Sequence, residues 1–325
     1  MLVLSEQQVR SIVDIEDFIA ALEQAHIQFS SGTVVMPVRL VVPLPEIKGR
    51  ITSMPAFLSE GNALGIKIIS YFQDNPKQGL PPILATISLY STDTGKLLVL
   101  MDGVHITAIR TACASALATK VLANPETPVL GIIGGGVQAR THIRALSTVR
   151  SIDRVLIWSP SGTSAQKIKD ELEGEMGFEI SPQDSVEAVV READLLATVS
   201  AASEPILKAE WLKPGVHINA VGSHRPDLRE IGSDTVRRAT VVVDSRDAIN
   251  NECGDILLAI KEGAISEAHI QGEIGEVLAG SKTGRTRTDE ITMYKSVGIA
   301  LQDVATAKLV YQRALEQNIG TEVEM

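Results

Sequence analysis

The sequence predicts an α/β chain of two domains, one built on a parallel sheet wrapped by helices and the other an α+β unit. Three observations carry that expectation. At 325 residues the chain exceeds what one hydrophobic core usually organises. From Pro37 to Leu100 it is written as short β-like runs separated by Gly, Pro and Asn-Pro punctuation. From Thr127 onward the grammar changes to strands alternating with helices, the pattern of βαβ units.

Composition narrows the class. A hydrophobic share of 44% with 25 Gly and 14 Pro excludes a disordered or collagen-like chain. The net charge of −10 has the wrong sign for gathering phosphates over a broad surface, and aromatics at 3% leave few rings for stacking bases. Nucleic acid is therefore not an expected partner. Two cysteines, Cys113 and Cys253, cannot form a disulfide framework. The opening MLVLSEQQVR has no room for a signal-peptide core, and no apolar run approaches the roughly 18 residues that span a bilayer. A cytoplasmic protein without a membrane partner is the expectation.

Taken in order, Ser5 with Gln8 is a capping-box pattern opening two short helices. Strands are expected at RLVVPL, RITSMPAF, LGIKIISYF, ILATISLY and KLLVLM, with Thr92–Gly95 as a hairpin turn between the last two. An Ala-rich helix follows over 104–123 and ends at Asn124-Pro125. PVLGIIGGGVQARTHIRAL then reads as strand, glycine turn and helix. RVLIWS, FEI, DLLATVSA, GVHINAVG and ATVVVD supply further strands, with helices over 163–173 and at DSVEAVVREA. Residues 281–290 read as a polar surface loop, and Thr292 to Ala314 as helix.

The sharpest chemical signal is Gly134-x-Gly136-x-x-Ala139, which follows a predicted strand and opens a predicted helix. The first glycine permits a tight turn, the second lets backbone approach a pyrophosphate, and the small third residue lets helix and strand pack closely. The helix N-terminus adds amide donors and a favourable dipole. A plain glycine-rich turn is the bland alternative, but the βαβ context favours a Rossmann dinucleotide site. The next strand ends in Trp158-Ser159 rather than in an acid that would accept from a ribose hydroxyl, so NAD and NADP both stay open.

Lys67 interrupts LGIKIISY, and Arg110 lies in the apolar helix HITAIRTACASALA. Snorkelling at an element's edge or a structural ion pair would explain both. A buried lysine can instead serve as acid or base, and a buried arginine binds carboxylate. The six histidines form no metal-ligand spacing, and neither a Gly-x-Ser-x-Gly elbow nor a Walker loop occurs.

DGVHITAIRTACASALATKVLA, GIIGGGVQARTHIRAL and TMYKSVGIALQDVATAKLVY together resemble the ornithine cyclodeaminase/mu-crystallin family along nearly the whole chain. The resemblance implies a Rossmann NAD(P)-binding domain over 125–297, inserted into a substrate-binding and dimerisation domain of 1–124 with 298–325. A homodimer is the family's usual state. By motif, Arg39, Lys67 and Arg110 resemble the substrate-carboxylate cluster, with Arg110 also against the cofactor and Lys67 doing acid/base work at an imine. Gly134, Gly136, Val137 and Gln138 match the pyrophosphate site, and Ser159 the ribose-reading position. Ser200, Ala220, Val221 and Ser296 match further cofactor contacts. Cyclodeaminases carry acids where this chain has Thr52 and His224, the latter beside Arg225. Those departures imply an imino-acid reductase or amino-acid dehydrogenase acting on a small amino or imino acid, with Thr52 and Arg225 facing substrate and His224 as a second candidate proton donor. An ornithine-cyclising lyase and a mu-crystallin-like small-molecule binder are the alternatives.

Overall fold

The computed structural model describes residues 1–324. The chain divides into two compact units, Met1–Arg110 with Gly298–Met325, and Thr111–Val297. The division falls inside the helix Val104–Leu122.

The first unit begins as its caps dictate. Ser5 and Gln8 exchange side-chain and backbone hydrogen bonds at the start of Glu6–Ile12, and Asp14 accepts from Glu16 N and Asp17 N at the start of Ile15–Ser30. An eight-stranded sheet follows. Gly49–Leu58, Ala63–Phe72, Ile83–Tyr90 and Leu97–Asp102 run as an antiparallel meander, and Leu2–Leu4 adds to it in parallel. Alternation decides which face is covered: Met54, Ala56 and Leu58 are buried on one strand, Gly65 and Lys67 on the next, Ala85, Ile87 and Leu89 on the third. The helix Ala300–Glu316 lies on that face, burying Leu301, Val304, Ala307 and Val310 at helical spacing, with Val304 over Gly65. Gly65 and Lys67 share a face, so the same helix brings its first turn to Lys67.

The second unit is an all-parallel eight-stranded sheet. Its order is Glu179–Pro182, Arg154–Trp158, Val129–Ile133, Leu195–Thr198, His217–Ala220, Thr292–Lys295, Thr240–Val243, Ile270–Glu273. Leu195–Thr198, His217–Ala220 and Thr292–Lys295 are buried at every position, as the centre of a sheet covered on both faces requires. The chain order reverses between Val129–Ile133 and Leu195–Thr198, which makes their carboxyl ends a topological switch point.

One expectation is corrected. Thr292 to Ala314 is not one helix: Thr292–Lys295 is a fully buried strand between His217–Ala220 and Thr240–Val243, and the helix starts only at Ala300. A four-residue buried run has no periodicity of its own to separate strand from helix. What separates them here is Gly298, whose φ of 75° lies in the left-handed region and turns the chain.

Candidate active site

In the first unit, the interruption at Lys67 and the interruption at Arg110 meet on one carboxylate that periodicity did not single out. Lys67 Nζ lies 2.6 Å from Asp303 Oδ2 with both side chains at 0% exposure, and Arg110 Nε lies 2.9 Å from Oδ1 of the same residue. Behind them, Arg110 Nη1 donates to Gln302 Oε1 at 2.6 Å, leaving the Gln302 amide nitrogen to donate to His26 Nε2 at 3.2 Å. Lys67 also reaches the Thr107 hydroxyl at 3.5 Å, and Arg39 donates to the carbonyl of Gly298. That glycine is required by contact as well as by φ, since a Cβ on it would fall 2.7 Å from Arg110 Nη1. Asp303 and Gln302 look like ordinary polar positions of an amphipathic helix in the sequence, so only the packing of that helix exposes their role.

Electrostatics follow from this burial. Desolvation, opposed by the Asp303 carboxylate and reinforced by Arg110 and Arg39, brings the Lys67 pKa down to about 7. Burial, with Arg110 nearby, lowers the His26 pKa to about 3, so its imidazole is neutral and can accept from Gln302. Thr52 is buried on the strand beside Lys67, on the same face as Met54, the cross-strand partner of Lys67. A lysine able to gain or lose a proton near neutrality, held beside two guanidinium groups, is suited to bind a carboxylate and move one proton next to it.

In the second unit, Gly134 follows Val129–Ile133 with φ 134°, and a Cβ there would meet Val199 O at 2.7 Å. Gly136 is the N-cap of Val137–Val149 and has open space where a side chain would stand. Ala139 is fully buried, while Val137, the first residue of that helix, is 63% exposed. This is a cradle of bare backbone amides at a helix N-terminus, and it fits a pyrophosphate. Ser159, at the end of the neighbouring strand, is buried and accepts from Ala165 N at 3.2 Å, capping the following helix.

The other predicted cofactor positions gather at the carboxyl ends of adjoining strands. Ser200 N donates to Glu230 Oε1 at 2.9 Å, and Gly222 N, just past Ala220 and Val221, donates to Oε2 at 3.2 Å. Ser296 donates to Asp244 Oδ2 at 2.8 Å. Burial raises the Glu230 pKa. His224 and Arg225 stand on an exposed turn of this unit, and Arg225 is paired with Asp227 at 2.6 Å.

One unit is a doubly wound sheet with a dinucleotide-type glycine turn and the other holds a buried Lys-Asp-Arg cluster, features of a dehydrogenase-class protein. Residues 1–318 match the model of the ornithine cyclodeaminase/mu-crystallin family, and the chain belongs to that family. It is 40% identical to ketimine reductase mu-crystallin of Mus musculus over 296 residues, 90% of each protein. It is similar in structure, at a TM-score of 0.97 and 40% identity, to a Thermococcus litoralis Delta(1)-pyrroline-2-carboxylate reductase in complex with NADH and L-proline, covering 99% of this chain and 100% of that one. An archaeal alanine dehydrogenase dimer with bound NAD matches at a TM-score of 0.95 and 34% identity, covering 100% of this chain and 99% of that one. Among the described residues no helix is long and apolar enough to cross a membrane.

Proposed function

We propose that this chain is an NAD(P)-dependent oxidoreductase that reduces a small imino acid, a ketimine or the imine of a 2-oxo acid with an amine, to an L-amino acid. The observation that carries the reading is the buried Lys67, shared through Asp303 with Arg110. Reductases and a dehydrogenase of imino and amino acids among its relatives support it.

In this reading residues 1–124 with 298–325 bind substrate and residues 125–297 bind the dinucleotide. Arg39 and Arg110 take the substrate α-carboxylate, which orients the prochiral carbon. Lys67, as ammonium, donates its proton to the imine nitrogen. We assign that proton to Lys67 rather than His224 because Lys67 is wholly buried beside the carboxylate-binding groups, whereas His224 lies on an exposed turn. Gly134, Gly136, Val137 and Gln138 would hold the pyrophosphate, with Ser159, Ser200, Ala220, Val221 and Ser296 around the rest of the dinucleotide. The reduced nicotinamide, when bound, supplies the hydride. Thr52 gives the pocket a neutral wall where a diamine would need an acid, since a cationic tail there would lose water without gaining a counter-ion. His224 and Arg225, exposed in the second unit, take no part in this proton transfer.

The protein acts in the cytoplasm as a homodimer. Val35, Leu40, Val42 and Ile51 are exposed on one face of paired strands of the first unit, an apolar surface of the kind that a second copy covers. The test is a spectrophotometric screen with NADH and NADPH against cyclic ketimines, pyruvate with amines, oxaloacetate with ammonia, and ornithine. Oxidation of cofactor by an imino acid is expected. Ornithine cyclisation, or binding without any oxidation of cofactor, would overturn the reading.

A further inference from the structure

We infer that Asp303 is a positioning residue of the reductive site, its single carboxylate holding the proton donor Lys67 through Oδ2 and the carboxylate-binding Arg110 through Oδ1. The proposal deepens the function above and rests on Lys67 as the acid.

Three features of the fold converge on this role. Asp303 is fully buried in the first turn of Ala300–Glu316, where a polar residue facing a sheet is expensive unless paired. Its neighbour Gln302 receives Arg110 Nη1, so adjacent residues of one helix grip both edges of the guanidinium. Gly298 clears the space that the guanidinium occupies. The substrate would thus meet an acid and an anion-binding group whose separation is fixed by a third residue that touches neither substrate nor cofactor.

The charge consequence is directional. Lys67 is faced by Asp303 from this helix, by Arg110 and Thr107 from Val104–Leu122, and by Arg39 from the segment before Leu40–Leu44. Asp303 is the one charged group among these that favours the ammonium, and both arginines oppose it. In the reductive step the Nζ–H bond breaks, its electron pair stays on Nζ, and the proton forms the new N–H bond. The dinucleotide, when bound, would supply the hydride that the imine carbon takes up, and Lys67 regains a proton from solvent. Asp303, 2.6 Å from Nζ, favours the protonated form of Lys67.

The test is Asp303→Asn in the full chain, assayed with NADH and Δ1-pyrroline-2-carboxylate as the probe imino acid, alongside NADH binding by fluorescence. The pH at which reductive kcat falls off on the basic side should move down by about one unit or more, with KM raised about tenfold and NADH affinity within about twofold. Asp303→Glu keeps the charge at a different reach, so it should restore the pH limb while KM stays high. If Asp303→Asn does not fold, Asp303→Glu decides alone: an unchanged KM would overturn the proposal. An unmoved limb in folded Asp303→Asn would also overturn it while leaving the function intact. No turnover by the unmodified protein would remove both.

Discussion

Lys295 Nζ lies 2.7 Å from Asp255 Oδ2, and neither side chain has any exposed surface. Asp255 Oδ1 accepts from the amides of Glu230 and Ile231, each at 2.8 Å, and the Glu230 carboxylate in turn holds Ser200 N and Gly222 N. One buried ion pair therefore stands behind the turns that end two central strands of the parallel sheet. Burial opposes the charge of Lys295, yet Asp255 and neighbouring groups hold its pKa above the usual lysine value.

Lys295→Met strands Asp255 without its counter-ion. Removing one partner of a buried pair costs about 3–5 kcal/mol, so the unfolding midpoint in urea should fall accordingly. The turns it supports should loosen, weakening NADH binding. Wild-type stability together with wild-type NADH affinity would show that the pair is dispensable.

Gly298→Ala should act on substrate and not on cofactor. The added methyl would crowd Arg110 Nη1 at 2.7 Å, and φ of 75° strains any residue with a Cβ. Displacement of the carboxylate-binding guanidinium should raise KM for the imino acid about tenfold or more, with NADH affinity retained. Steady-state kinetics beside NADH titration separates these two effects.

Lys67→Met should lower reductive kcat/KM by about 10²–10⁴-fold, the usual range for losing an acid or base. The unmodified enzyme should also show a direction-dependent profile. With the Lys67 pKa near about 7, the ammonium needed for reduction is present below that pH and is lost as pH rises through it. Oxidation of the amino acid needs the neutral amine and should rise over the same interval. Near-normal turnover of Lys67→Met would return Lys67 to a static role.

Much of the parallel-sheet unit was legible because its signals are local. A strand, a glycine turn and a helix sit within a few residues of one another, and the structure puts Gly134 and Gly136 at that turn. Lys67 and Arg110 were visible as charges inside apolar runs. Asp303 was not, because its neighbours in sequence are those of any amphipathic helix and its partners come from remote strands and helices. The strand Thr292–Lys295 reads as helix in the sequence for a related reason: its identity comes from the two strands that flank it. Long-range pairing leaves no periodic trace in a run that short.

Buried neutral histidines should make the protein acid-sensitive. His26 and His217 have pKa values near about 3 and His142 near about 4, in each case chiefly through burial, against 6.5 for an exposed histidine. Between those values the unfolded chain binds protons that the folded one refuses, so this contribution to stability is full above about pH 6.5 and declines as pH falls. Each such histidine contributes a slope on the order of 1.4 kcal/mol per pH unit in that window. A melting temperature that stayed flat from pH 7 to pH 5 would contradict this.

Isotope transfer measures most directly whether hydride reaches an imino carbon. The protein is given Δ1-pyrroline-2-carboxylate and cofactor deuterated at nicotinamide C4, one face at a time, and the amino acid is examined by mass spectrometry and chiral chromatography. L-proline carrying one deuterium at its α-carbon is expected from one face of the cofactor and none from the other. An amino acid formed without deuterium from either face, or no product at all with NADH and NADPH, would contradict it.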